Sequence, residues 1–271
     1  TTKPPFGSVQ INWGHPLAQG LVSCILPSRV SGSQDLATPV SLATDNSSAG
    51  FRSMSIAPYP AGLGLRLGTT PQGDLYADND RHDISGDRLT VFAITQKNIW
   101  EADRAPVGWW GTPGTGQKFV GPAYTGSLTN QLQFVVRANA VNRFASQTNA
   151  GFYGSGIVVG SVGVYNGSNA LLYTAIYPSL TYTKTTGDAG TGNMATGTAG
   201  LSIITYNGAT LSASVWRDGR IYVIYMWRRV LMDSEILLLF AEPYAFLQPI
   251  PAVTYVFMRT PAGAAGEAAE P

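Results

Sequence analysis

Charge is what this 271-residue chain has least of: only 12% of its residues are Asp, Glu, Lys or Arg, about half the ~25% of an ordinary soluble domain. Its surface must therefore be covered largely by Ser, Thr, Asn, Gln and Gly. The net charge is +1 and no Lys/Arg cluster rises above the scatter, so the basic footprint required by nucleic acid or an anionic membrane is missing. Cys24 is the single cysteine, which excludes an intrachain disulfide and a thiolate metal cage. It is expected to act as a small buried hydrophobe. His15 and His82 are the two histidines, and without a Gly-x-Ser-x-Gly elbow a serine-type triad lacks its nucleophile. No apolar run approaches the ~20 residues of a membrane span, and Thr1 onward shows no basic-then-apolar signal pattern. The expectation is a soluble protein with neither nucleic acid nor membrane as partner.

What the chain has in plenty is turns, with 31 glycines and 17 prolines. Three Asn-Gly or Asp-Gly pairs predict hairpins of the type I′ class, in which both central residues take positive φ. They are Asn166-Gly167 between "GIVVGSVGVY" and "NALLYTAIY", Asn207-Gly208 between "LSIITY" and "TLSASVW", and Asp218-Gly219 between "SASVW" and "IYVIYMW". "LTVFAIT" from Leu89 and "QLQFVVRA" from Gln131 read as further strands by β-branched and aromatic enrichment. Residues 98–130 read as loop, as does the run from Thr181 to Ala199, where nothing apolar recurs with any period. No fixed-period repeat argues for a propeller or solenoid. Short strands, tight turns and no alternating helices point to one large β sandwich, a size such folds commonly reach.

One stretch departs from this pattern. "RIYVIYMWRRVLMDSEILLLFAEPYAFLQPIP", residues 220–251, reads as a strand, a turn, a helix of roughly two turns and an extended tail. Asp233 is placed to cap the helix, Glu235 suits its first turn, and Pro243 stops it. Ile236, Leu239 and Phe240 make an inward stripe, which Leu237 and Leu238 widen beyond one buried face.

The residues at the two ends resemble a known family. "RRVLMDSEILLLFAEPYAFLQP" is similar to the C-terminal signature of concanavalin A-like, laminin-G-like jelly-roll domains, with Arg229, Leu231, Glu235, Ile236 and Pro243 in the matching positions and Met232 where the family usually has Ser. "INWGHPLAQGL" resembles the opening of bacteriophage and prophage versions, through Asn12, Trp13, His15, Pro16, Leu17, Ala18, Gly20 and Leu21. The resemblance implies an all-β fold, a two-sheet antiparallel jelly-roll sandwich with one short C-terminal helix that plugs an open end or flank. It would span residues 11–251, with an N-terminal arm at 1–10 and a C-terminal extension at 252–271.

Glycosidases of this fold carry Glu-x-Asp-x-Glu on one strand, where alternation puts the carboxylates on one face. The nearest match here, Glu101-Ala102-Asp103-Arg104-Ala105, lacks the third acid, so no catalytic residue is assigned and the expectation is a protein that is not an enzyme. "GTPGTGQK" from Gly111 has Gln117 where a phosphate loop needs its lysine. In "DLYADNDRHDISGD", Asp78, Asp80 and Asp83 are candidate ligands for Ca²⁺, a hard cation that carboxylate oxygens suit, although the spacing fits no loop consensus and a plain polar turn is the alternative. Trp109 and Trp110 in "GWWGTPG", together with Tyr124, are candidates for carbohydrate binding; aromatic surfaces of this kind stack on sugar rings and anchor protein interfaces equally well.

The reading that follows is a non-enzymatic bacteriophage virion protein: a capsid decoration or accessory protein at the virion surface, present in multiple copies against other virion subunits. The alternative is a glycan-binding tail or fibre adhesin for host polysaccharide, and a polysaccharide hydrolase stands third. Residues 1–8 and 261–271 have one large apolar side chain, Phe6, between them, and are expected to become ordered only against a neighbouring subunit.

Overall fold

The computed structural model describes residues 9–26, 34–37, 40–41, 43–44, 55–59, 62–67, 75–77, 85–97, 107–109, 118–120, 131–139, 141–152, 154, 156–194, 201–203 and 219–250. In chain order they form β1 (Val9–Ile11), β2 (Leu21–Ile25), β3 (Gln34–Asp35), β4 (Val40–Ser41), β5 (Ala43–Thr44), β6 (Ser55–Tyr59) and β7 (Gly62–Leu67). Then come β8 (Leu75–Ala77), β9 (Leu89–Lys97), β10 (Val107–Trp109), β11 (Lys118–Val120), β12 (Gln131–Ala138) and β13 (Val141–Thr148). The last third holds β14 (Val158–Tyr165), β15 (Asn169–Tyr177), β16 (Thr181–Ala189), β17 (Leu201–Ile203), β18 (Gly219–Trp227), the helix α1 (Asp233–Ala241) and β19 (Leu247–Pro249).

One sheet runs β16-β15-β14-β9-β18-β2-β3-β4, with β7 also on β18 and β6 on β7. A second runs β13-β12-β11-β10-β17-β8-β5, and β1 with β19 makes a two-stranded ribbon. The protein is thus an all-β, two-sheet antiparallel jelly-roll sandwich of concanavalin A-like architecture with one short C-terminal helix.

Because side chains alternate along a strand, the central strands of the larger sheet present two faces. Val91 and Ala93 of β9, Val159 of β14 and Ile224 of β18 face the smaller sheet and meet Leu132, Phe134 and Val136 of β12. The opposite side, including Phe92, Val162, Tyr225 and Trp227, packs under α1, the ribbon and the 3₁₀ turn at Pro16–Ala18. This is why β9 and β18 are apolar on both faces. Of the two places expected for the helix, an open end or a flank, it takes the flank and covers the outer face of the larger sheet. Two glycines of β14 receive an aromatic ring from either side: Gly163 lies under Phe134 of the facing sheet, and Gly160 under Phe240 of the helix.

The two family-like end motifs form a single lock. His15 Nδ1 accepts from Leu17 N at 3.2 Å and caps the 3₁₀ turn. The Leu17 carbonyl accepts from Trp227 Nε1 at 2.6 Å. Arg229 forks onto Glu235 and also donates to the Gln19 and Pro16 carbonyls. Gly20, at φ +70°, leaves room for the Arg229 stem. After the helix, Phe246 is buried edge-on to Tyr225, with ring centroids 4.9 Å apart, so the extended segment beyond Pro243 straps back over the outer face of the larger sheet. Cys24 is buried among apolar side chains of this layer.

Four local expectations change. Asp233 is the first helical residue, not the cap; Met232 takes the cap position, and the Glu235 carboxylate accepts from its N–H at 2.8 Å. Asn166-Gly167 does join β14 to β15, but Tyr165 pairs with Ala170, and only Gly167 has positive φ. The turn is therefore longer than type I′, and Asn166 Oδ1 closes it by accepting from Ser168 N and Asn169 N. Residues 181–189 are a strand, and short strands interrupt 98–130 at β10 and β11. An edge strand of exposed Thr and Tyr needs no apolar period, because its backbone pairing and β-branched residues suffice. Asn207-Gly208, Asp218 and residues 1–8 and 261–271 lie outside the described residues.

Candidate functional site

The structure places one of the residues singled out as sugar stackers. Trp109 ends β10 in the smaller sheet, where its backbone pairs with Lys118 and Leu201. Trp110, Tyr124, Asp78, Asp80, Asp83, Glu101 and Asp103 lie outside the described residues. Among the described residues no group of three or more His, Cys, Asp or Glu is placed to hold a metal ion.

A polar ledge does form elsewhere, on the helix side of the larger sheet at its β16 edge. The register sets Tyr182 opposite Ala175 and Lys184 opposite Tyr173. Alternation then puts Tyr182, Lys184 and the Tyr173 ring on one face, and the Lys184 ammonium sits 5.1 Å from the Tyr173 ring centroid. The helix supplies the fourth member. Its first residue, Asp233, accepts from Tyr173 Oη at 2.7 Å and from Lys184 Nζ at 2.9 and 3.2 Å. At the other end of the helix, Tyr177 Oη donates to the Phe240 carbonyl at 2.8 Å. Two tyrosines of β15 thus hold α1 along that strand.

Three of its four members are open to solvent, and Tyr173 is buried beneath them. Tyr182 is 50% exposed, and the Lys184 and Asp233 side chains are 40% and 63% exposed. Hydrogen bonds from Lys184 and then Tyr173 hold the Asp233 carboxyl below its ordinary value. Bonds to Tyr173 and then Asp233 raise Lys184, and burial raises the Tyr173 hydroxyl. Cation and anion therefore both persist at neutral pH. The arrangement is an exposed phenol ring beside a fixed, charge-balanced donor–acceptor pair.

The strand that carries Tyr182 and Lys184 is held from behind by the other sheet. Gln147 Nε2 donates to the Leu172 and Thr183 carbonyls, each at 3.0 Å, and Gln147 Oε1 accepts from Thr174 Oγ1. Arg143 Nη1 donates to the Ala189 carbonyl at 2.9 Å, and Asp188 Oδ2 accepts from Phe144 N at 3.2 Å. Gly187 abuts the Phe144 carbonyl so closely that no Cβ fits. Side chains thus close this flank of the sandwich and make β16 a fixed platform.

Sequence reasoning missed the ledge. Its signal was the alternation in "TYTKTT", where Tyr and Lys two residues apart share a face once the run is recognised as a strand. Asp233 was noticed only as a helix cap.

No family model matches the chain, and no curated protein matches it in sequence. Solved structures do. Domain 4 of AbnA, a GH43 extracellular arabinanase from Geobacillus stearothermophilus in complex with arabinotriose, is similar with a TM-score of 0.55 at 10% identity, over 80% of this chain and 96% of that one. The binding domain of botulinum neurotoxin DC in complex with SialylT is similar with a TM-score of 0.53 at 12% identity, over 82% of this chain. The binding domain of botulinum neurotoxin serotype G reaches 0.57 at 7% identity, over 83%. The chain spans about half the length of the two toxin domains, 51% in each case. At these identities the likeness is one of fold.

Proposed function

We propose that this chain is a non-catalytic β-sandwich module that binds glycans. The observation that carries the reading is the ledge: a half-exposed tyrosine on a braced edge strand, beside a lysine–aspartate pair whose polar atoms reach solvent. A sugar ring offers an apolar face to an aromatic ring and hydroxyls that donate and accept at its rim, and the ledge matches both. Support comes from the fold it shares with a domain solved with arabinotriose and another solved with SialylT. The sparse surface charge suits a neutral, hydroxyl-rich partner. Testing the purified chain on a glycan array, with Tyr182→Ala beside it, decides the matter. Retention of specific glycans that the variant loses is expected; a silent array for the unaltered chain overturns the reading.

We further propose a bacteriophage virion surface as the setting, with the module displayed in multiple copies against other virion subunits as a fibre adhesin or capsid decoration. Support for this is the opening motif from Asn12 to Leu21, similar to phage versions of the fold and locked onto the closing motif through Arg229. Immunogold labelling of particles produced from a genome encoding the chain should decorate them; unlabelled particles would remove the virion setting and leave glycan binding untouched.

A further inference from the structure

We propose that the ledge of Tyr182, Lys184, Tyr173 and Asp233 takes a neutral saccharide in preference to an acidic one, with one sugar ring flat on Tyr182 and adjacent hydroxyls on the Lys184–Asp233 pair. This rests on the glycan reading above and adds the ligand class and the pose.

Charge balance decides the class. Sites for carboxylated or sulfated ligands present surplus positive charge, most often a guanidinium fork. Here the single ammonium is committed to a carboxylate 2.9 Å away, and that carboxylate is the more exposed of the two. The nearest further acid along the helix, Glu235, is itself matched by Arg229 at 2.7 Å. An anionic sugar approaching Lys184 therefore meets Asp233 at nearly the same distance, and repulsion offsets attraction. The depressed Asp233 and raised Lys184 ionisations keep this balance through neutral pH.

Hydrogen-bonding capacity points the same way. A carboxylate has about four lone-pair sites, and Asp233 accepts three contacts, one from Tyr173 and two from Lys184. Its exposed edge retains capacity for a hydroxyl that donates, while the exposed Lys184 ammonium lies beside it and can donate to a hydroxyl oxygen; Tyr173, buried beneath, only holds Asp233 in place. Neighbouring hydroxyls of a neutral sugar donate and accept in just such alternation. The pose follows from the strand: Tyr182 and Lys184 are two residues apart, ~6.8 Å on an antiparallel strand, about the width of one sugar ring, and Ala175 opposite Tyr182 adds little bulk beside the aromatic ring.

Titration calorimetry of the full chain tests this, using neutral oligosaccharides that include arabinotriose and galactotriose against trigalacturonate and a sialylated trisaccharide, at about 50 and about 500 mM NaCl. A neutral ligand should bind with an affinity that changes less than about twofold between the salts, and each acidic one at least about tenfold more weakly. Tyr182→Ala and Lys184→Gln should each weaken the neutral ligand about tenfold with the melting temperature retained. Tighter binding of an acidic ligand that weakens with salt overturns the neutral class and leaves the glycan reading standing. Neutral binding that survives both variants overturns the assignment to this ledge. Silence across all the sugars removes the glycan reading and this inference with it.

Discussion

Arg229 and Glu235 meet in a two-pronged ion pair, Nη1 to Oε2 at 2.8 Å and Nη2 to Oε1 at 2.7 Å, and the same guanidinium reaches back to the Gln19 and Pro16 carbonyls at 2.7 and 3.1 Å. One side chain therefore fastens the helix, the turn before it and the opening of the chain. Both partners are mostly buried, at 26% and 12% side-chain exposure, so losing one leaves the other poorly solvated. Arg229→Met should cost roughly 2–4 kcal/mol in urea unfolding. Arg229→Lys should recover only part of that, because an ammonium cannot reproduce the fork. Equal stability of the Lys variant and the unaltered chain would mean the fork is unimportant.

The pair also sets an acid response. The Glu235 carboxyl lies below its ordinary value of 4.5, first through the Arg229 hydrogen bond. A depressed folded-state pKa contributes stability that is fully present above the unfolded value and is lost as pH falls through the folded one. Glu235→Gln should therefore be less stable than the unaltered chain at pH 7, and the gap should narrow as pH falls below about 4.5. Urea midpoints across the acid range measure it; a gap independent of pH contradicts the assignment.

Gly163 of the larger sheet lies against Phe134 of the smaller one, with the ring where a Cβ would stand. Gly163→Ala should destabilise by about 1–3 kcal/mol or more through overpacking. Gly160→Ala, whose new methyl would meet Phe240 and Tyr177 ring atoms at 3.0–3.1 Å, should cost less. Combining Gly163→Ala with Phe134→Leu should be less damaging than the sum of the two changes, since contacting sites are not additive. Strict additivity in unfolding measurements would show that the methyl and the ring do not compete.

How much of this was legible in the sequence depends on what holds each element. β12 was read at its full extent from Gln131 to Ala138, and β9 from Leu89 onward, because burial on at least one face writes itself into apolar residues. The helix stripe of Ile236, Leu239 and Phe240 was visible for the same reason. β16 was not, since its residues are mostly exposed and it is held by backbone pairing to β15 and by Gln147 from another sheet. The ledge went unread with it: Tyr173, Lys184 and Asp233 are 49 to 60 residues apart where they meet the helix, and only the fold brings them together.

Gln147 offers a direct test of that bracing. Its amide satisfies two carbonyls on β15 and β16. Gln147→Leu leaves both without this donor and should cost about 1–3 kcal/mol. Hydrogen exchange should rise selectively in residues 181–185, while β9 and β18, buried on both faces, stay protected. Uniform loss of protection would mean that Gln147 supports the whole sandwich and not its edge.

The helix carries the last prediction. Ile236, Leu239 and Phe240 are buried against the larger sheet, yet Leu237 and Leu238 are 39% and 37% exposed. In the isolated chain the two faces should respond differently to truncation. Leu239→Ala empties a fully buried site next to the aromatic layer and should cost roughly 2–5 kcal/mol. Leu237→Gln and Leu238→Gln change partly solvated positions and should shift stability by no more than about 1 kcal/mol. Urea unfolding at low protein concentration gives the comparison, and light scattering gives the oligomeric state. If Leu237→Gln proves as costly as Leu239→Ala, the outward face is covered by another copy of the chain. The unaltered protein would then scatter as a multimer that the Gln variant dissociates.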